Sequence, residues 1–146
     1  MVRARGLFHA TLPVWDLERA ERFWRDLLGI ARHPTPSYLP DRVVFLDLGN
    51  AMIHLVRPAD GPPPPPPRST HLALEVDDLD AAYARVRAAG CELLTEITPR
   101  PDMRCFFFLD PEGNRIELTQ HGVEPSGGEL PWTTRSFSSP TSAGGG

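Results

Sequence analysis

The sequence predicts an α+β protein in which two paired βαβββ modules curl into an open, cup-shaped, eight-stranded sheet around a shared cavity. Three observations predict it. HATLPVWDLERA (residues 9–20) lies on HLALEVDDLDAA (residues 71–82) with six identities in twelve at an offset of 62. FLDLGNAMIHL (residues 45–55) lies on FLDPEGNRIEL (residues 108–118) with five identities in eleven at an offset of 63. Two ungapped matches at nearly one offset mark a duplicated supersecondary unit. Between the halves stand six consecutive prolines, 62–67, which predict a stiff polyproline segment rising about 3.1 Å per residue.

At 146 residues the chain has the length of one domain, or of two small modules sharing one core. The expected boundaries are a first module over 1–60, a Pro-rich linker over 61–69, a second module over 70–121 and a flexible tail over 122–146, rich in Gly, Ser and Pro. Each module opens with an apolar strand around a histidine. A helix follows, begun by Asp16 in one half and by Asp77 or Asp78 in the other, acids that suit an N-cap and the positive helix end. Leu17, Ala20, Trp24 and Leu27 give the first helix an apolar face, as Leu79, Tyr83 and Val86 give the second, and Gly29 and Gly90 stop them. Three further strands are expected over residues 30–38, 42–48 and 51–56, and again over 92–98, 103–109 and 114–119. A four-stranded sheet with one helix leaves a face uncovered, so the two sheets should close on each other.

Composition excludes several classes of function. No stretch approaches the roughly 18 uninterrupted apolar residues of a membrane helix, and the short apolar run after the basic N-terminus ends at Pro13 without a small-residue cleavage site. A cytoplasmic location is expected, in keeping with only two cysteines, Cys91 and Cys105, that lack CxxC spacing. With net charge −4 and scattered basic residues, nucleic acid is not an expected partner. All 15 basic residues are Arg, which removes Schiff-base chemistry and the phosphate-cradling GK[ST] loop together.

His9 and His71 occupy equivalent repeat positions, and His54 matches Glu117. All four fall in expected strands, so a pseudo-twofold between the modules can aim one residue from each strand at a common point. Glu117 lies between Ile116 and Leu118, where an inward carboxylate is expensive unless paired or bound to a metal. Three imidazoles and a carboxylate suit one divalent borderline ion per chain, Fe, Ni, Co, Zn or Mn, with two octahedral positions open. His9, His54, His71 and Glu117 are therefore the candidate ligands, and Glu117 and His54 the candidate catalytic groups. Alternation brings Leu7, Thr11, Ala73, Glu75, Arg115 and Thr119 to the same side as the ligands. Thr11, Phe107, Arg104 and Arg115 are candidate substrate-lining residues, with either Arg able to hold a carboxylate by a two-pronged hydrogen bond. Of Phe106, Phe107 and Phe108, at least one belongs to the core, and both cysteines read as small hydrophobes.

The repeat, the strand-opening histidines and FFFLDPEGNRIEL resemble the vicinal oxygen chelate superfamily, which includes glyoxalase I, methylmalonyl-CoA epimerase, extradiol dioxygenases, fosfomycin-resistance enzymes and bleomycin-resistance proteins. The resemblance covers about residues 6–121 and implies a glyoxalase-like cup, commonly a homodimer, that acts on a small molecule. Position by position, its metal sites fall on His9, His54, His71 and Glu117. It implies first a glyoxalase-I-like lyase or isomerase whose substrate chelates the metal through adjacent oxygens. Glyoxalase I has Glu where this chain has His54, so Glu117 or a metal-bound hydroxide would serve as base, and His54 is a fourth ligand or a base. His9, His71 and Glu117 also compose the two-His-one-carboxylate triad of non-haem Fe(II) dioxygenases. The Tyr of extradiol enzymes is replaced by Phe107. The opening His9-Ala10-Thr11 is similar to that of fosfomycin-resistance transferases. A non-catalytic, bleomycin-resistance-like drug-binding protein is the remaining alternative, against which the intact four-residue set argues.

Overall fold

The computed structural model describes residues 2–122; the expected tail beyond residue 122 lies outside the described residues. Ten elements follow the duplicated order. The first module comprises β1 (His9–Pro13), α1 (Leu17–Leu28), β2 (Ala31–His33), β3 (Val43–Asp47) and β4 (Met52–Val56). The second comprises β5 (Leu72–Glu75), α2 (Leu79–Ala88), β6 (Thr98–Pro99), β7 (Met103–Leu109) and β8 (Arg115–His121). The eight strands are dealt four to each module, in sheets ordered β1-β4-β3-β2 and β5-β8-β7-β6. In both, the first strand runs parallel to the last and the other neighbours are antiparallel.

Both helices begin as their sequences dictate. The Asp16 side chain accepts the Arg19 N–H and Asp78, rather than Asp77, accepts the Ala81 N–H, each satisfying an otherwise orphaned donor of the first turn. α1 ends at Gly29 with φ 66°, a left-handed position where glycine avoids the Cβ penalty. Leu17, Ala20, Trp24 and Leu27 are all buried, and Leu79, Ala82 and Val86 form the matching stripe of α2. These stripes meet the helix-facing residues of both sheets, among them Leu12, Leu46, Ile53, Phe106, Phe108 and Leu118, in one contiguous core.

The two short edge strands differ from the expected lengths for identifiable reasons. β2 stops at His33 because Pro34 and Pro36 follow, and proline cannot donate to the ladder. In the second module the Leu94 and Thr95 N–H groups both reach the Phe107 carbonyl, and the Thr95 hydroxyl accepts the Phe107 N–H. Two residues thus oppose one, a bulge that breaks the expected strand over 92–98 and leaves only an isolated Leu93–Phe108 bridge and β6.

The modules are strapped together by the turn between β7 and β8. Glu112 Oε2 accepts the Trp15 N–H at 2.5 Å, its Oε1 pairs with Arg19 at 2.6 Å, and Asn114 Nδ2 donates to the Pro13 carbonyl at 3.1 Å. Asp110 organises this turn, accepting N–H groups from Glu112 and Asn114 as well as the Asn114 side-chain amide. Burial is the main influence on its carboxyl and pushes its pKa up, against the opposing Asn114 hydrogen bonds.

Candidate functional site

The repeat-equivalent residues occupy one register in the two sheets. On the first, Thr11 stands opposite His54, and His54 opposite Phe45, which in turn faces His33. His9, two residues before Thr11, shares that face. On the second sheet Ala73 stands opposite Glu117 and Glu117 opposite Phe107, with His71 two residues before Ala73. In both modules the face that bears the candidate donors is the one turned away from the helices.

Each module brings two donors together. The His71 Nε2 lies 3.1 Å from Glu117 Oε2, while its Nδ1 lies 3.3 Å from the Ser69 carbonyl oxygen. The ring is thus held between two oxygen acceptors, with Nδ1 toward the carbonyl and Nε2 toward the carboxylate. A metal-binding histidine is held in the same way, through its distal N–H. Glu117 is only 8% exposed, and the Phe107 ring stands edge-on to His71 at 5.3 Å. In the first module the His54 ring is sandwiched between His9, with centroids 3.9 Å apart, and Phe45, at 3.8 Å. Burial first, and the neighbouring His9 second, hold the His54 pKa below the usual imidazole range, which keeps the ring neutral and its lone pair free. Its Nε2 is buried without a hydrogen-bond partner. An orphaned imidazole nitrogen and a buried carboxylate facing Nε2 of a tethered histidine are donor sets that fit a divalent borderline ion.

The four donors do not converge within one chain as the repeat suggested. Among the described residues no three His, Cys, Asp or Glu side chains stand close enough together to hold one ion. The physical reason is that each pair projects from its own sheet, and the two sheets share the core on their helix sides.

The candidate lining residues divide between the faces. Thr11 and Phe107 are on the open faces, in register with His54 and Glu117. Arg115 shares the face of Glu117, two residues along β8. Arg104 does not belong with them. It pairs with Gln120 on the helix side, where its guanidinium meets Asp80 and Gln120, each at 2.8 Å, and ties α2 to the sheet. Leu7 lines a cavity of about 510 Å³ together with residues of both faces, among them Ala10, Ile53, Met52, Ala73 and Glu75. His121 pairs with Glu75 at 3.1 Å, and His33 is exposed on the outer strand.

Two neighbours of the donors escaped the sequence reading. Phe45 was hidden by the offset: sequence identity sets it on Phe108, whereas pairing sets it on Phe107, because the second hairpin is one residue longer. A single gap at that turn would have revealed it. Cys105 is buried on the Glu117 face, opposite Thr119, and burial, reinforced by Glu117, pushes its thiol pKa up against the opposing Arg100 hydrogen bond.

Duplicated βαβββ modules with metal-type donors in matching register define a class, and comparison with known sequences agrees. The chain belongs to the Glyoxalase/Bleomycin resistance protein/Dioxygenase superfamily, whose model matches residues 6–118. It is 31% identical over 121 residues to the glutathione transferase FosA of Serratia marcescens, covering 78% of this chain and 79% of that protein. It is 33% identical over 130 residues to an ethylmalonyl-CoA/methylmalonyl-CoA epimerase of Cereibacter sphaeroides, covering 78% and 96%. Among solved structures, a glyoxalase/dioxygenase from Nostoc punctiforme superposes with a TM-score of 0.70 at 22% identity over 84% of this chain and 97% of that one, a likeness of fold.

Proposed function

We propose that the protein is a divalent-metal-dependent enzyme of this superfamily, with lyase or isomerase chemistry of the glyoxalase type on a small substrate that presents two adjacent oxygens. Its metal centre is completed by a second copy of the chain. The observation that carries this reading is the division of four donors into two pairs of identical register, His9 with His54 and His71 with Glu117, on faces that one chain leaves open. In a twofold-symmetric dimer the face bearing one pair meets the face bearing the other, forming two equivalent sites.

When bound, the ion supplies Lewis acidity that stabilises an enolate-like oxygen. The protein's groups do the rest. His9 and His71 hold the centre through ring nitrogens, and Ser69 fixes the orientation of His71. Glu117 is the only carboxylate among the four donors, so it moves the substrate proton through its oxygens. His54, kept neutral between Phe45 and His9, contributes its free Nε2 as the fourth donor. A second reading, thiol transfer of the kind named for the Serratia relative, is favoured by the Thr11 hydroxyl opposite His54. It has no need of carboxylates on both faces of a substrate carbon.

Subunit complementation tests the shared site. A His9→Ala/His54→Ala chain and a His71→Ala/Glu117→Gln chain should each lack stoichiometric metal. Refolded together in equal amounts they should regain about one quarter of the wild-type metal, since half the dimers are mixed and each mixed dimer has one intact site. No recovery from a folded mixture would place the whole site in one chain. Turnover of hemithioacetals supports the lyase/isomerase reading, addition of a thiol to an epoxide supports the transferase, and oxygen uptake with Fe(II) would replace both with a dioxygenase.

A further inference from the structure

Two phenyl rings stand beside the donors at equivalent places in the repeat. Phe45 is directly opposite His54 and Phe107 directly opposite Glu117, the cross-strand relation in which Cβ atoms lie about 4.5–5.5 Å apart. Both rings are half-buried on faces that carry no helix. An open sheet face ordinarily alternates to polar residues, so a pair of phenylalanines at matched positions there calls for a function. Phe45 already behaves as a stacking surface, lying 3.8 Å from the His54 ring and inclined by only 6°. Phe107 turns its ring at 78° to His71, an edge-to-face contact.

The surroundings of the rings sharpen the chemistry. Around Glu117 the same face carries Ala73, Cys105 and Phe107, none of them charged. Charged groups border that face rather than line it: Arg115 two residues before Glu117, Arg100 beside the Cys105 thiol, and Glu75, whose Oε1 lies 3.1 Å from His121 Nδ1. Each donor pair has its own ring, so the shared centre proposed above brings one phenyl ring with His54 and one with Glu117.

We infer that the substrate bears a flat apolar group, aromatic or conjugated, next to its chelating oxygens, and that Phe45 and Phe107 receive it. This rests on the metal-centre reading above and adds to it the class of substrate. Burying such a group between two rings favours it over a methyl group through area and through offset or edge-to-face ring contacts. An anionic substituent gains nothing from phenyl faces, whose π clouds are negative.

The test uses metal-loaded full-length protein and titration calorimetry with acetohydroxamic, benzohydroxamic and glutaric monohydroxamic acids, which share one bidentate oxygen chelator and differ in its substituent. Benzohydroxamate should bind about ten- to a hundredfold more tightly than acetohydroxamate. In Phe45→Ala and Phe107→Ala that ratio should fall toward one, with metal content measured in each. Phe107→Leu keeps apolar bulk if the alanine variant does not fold, and it should lower the ratio while preserving preference for a hexyl hydroxamate. Equal binding of the aceto and benzo probes, a ratio unmoved by any Phe variant, or tightest binding of the glutaric probe overturns the inference and leaves the metal site standing. Failure of every hydroxamate to bind metal-loaded protein overturns the metal-centre reading itself.

Discussion

Replacing Glu112 by Ala should destabilise the protein by about 2–3 kcal/mol, and the contributions can be assigned one at a time. The Glu112 side chain is 4% exposed, so its carboxylate is removed from water and committed to its partners. Its Oε2 accepts the Trp15 N–H at the entry to α1, and losing a hydrogen bond to a charged acceptor costs about 1.5–3 kcal/mol. Its pairing with Arg19 at 2.6 Å contributes less, about 0.2–1 kcal/mol, because the Arg19 side chain is 52% exposed. That hydrogen bond is nonetheless the main reason the Arg19 pKa is raised. Urea unfolding followed by circular dichroism measures the difference, and a midpoint about 10 °C lower should accompany it in thermal scans. Glu112→Gln keeps an acceptor for Trp15 and loses only the charge, so its cost should be roughly half. The strap argument fails if Glu112→Ala costs under about 0.5 kcal/mol.

Further outcomes follow from other residues. His71→Ala should abolish stoichiometric metal binding in folded protein, read by elemental analysis; unchanged metal content would remove His71 from the ligand set. Asp110 has its pKa raised above the usual 3.8, so the folded state holds this proton more tightly than the unfolded chain does. Its contribution to stability should be fully present below pH 3.8 and be lost as pH rises through the folded value, so the stability gap between wild type and Asp110→Asn should shrink as pH increases. A gap that widens would contradict the burial argument. Trp24→Ala, at a fully buried position, should cost about 3–5 kcal/mol. Trp24→Phe should cost less than about 1.5 kcal/mol, since it also removes the buried, unpartnered indole N–H. Arg104→Met should weaken unfolding stability by about 1 kcal/mol through loss of its tie to Asp80, with hydroxamate affinity as in wild type; altered affinity would return Arg104 to the site.

Local features of this fold were legible because they are decided locally. Asp16 caps a helix for reasons contained in its own turn, and Leu17, Ala20, Trp24 and Leu27 declare their face by spacing alone. The pairs His9/His54 and His71/Glu117 were legible from the repeat, since equal spacing in equal modules gives equal register. Arg104 was misplaced although alternation contained the answer: it lies three residues from Phe107, an odd number, and therefore on the opposite face. Phe45 required knowing that the second hairpin holds one more residue, which identity at FLD concealed. Which faces the modules turn toward each other was beyond any strand pattern, because alternation tells which residues share a face and not which face confronts which.

The extra residue of the second hairpin also makes the two halves mechanically unequal. Gly49 and Asn50 turn the first hairpin with a short-range bond from the Gly49 N–H to Asp47, whereas the corresponding turn of the second grips the start of α1 in the other half. A lineage elaborating this protein could therefore lengthen the first hairpin into a new loop at little expense to the rest of the molecule. The same insertion between Asp110 and Asn114 would loosen the joint between the halves, so novelty has one hairpin to work with and constraint holds the other.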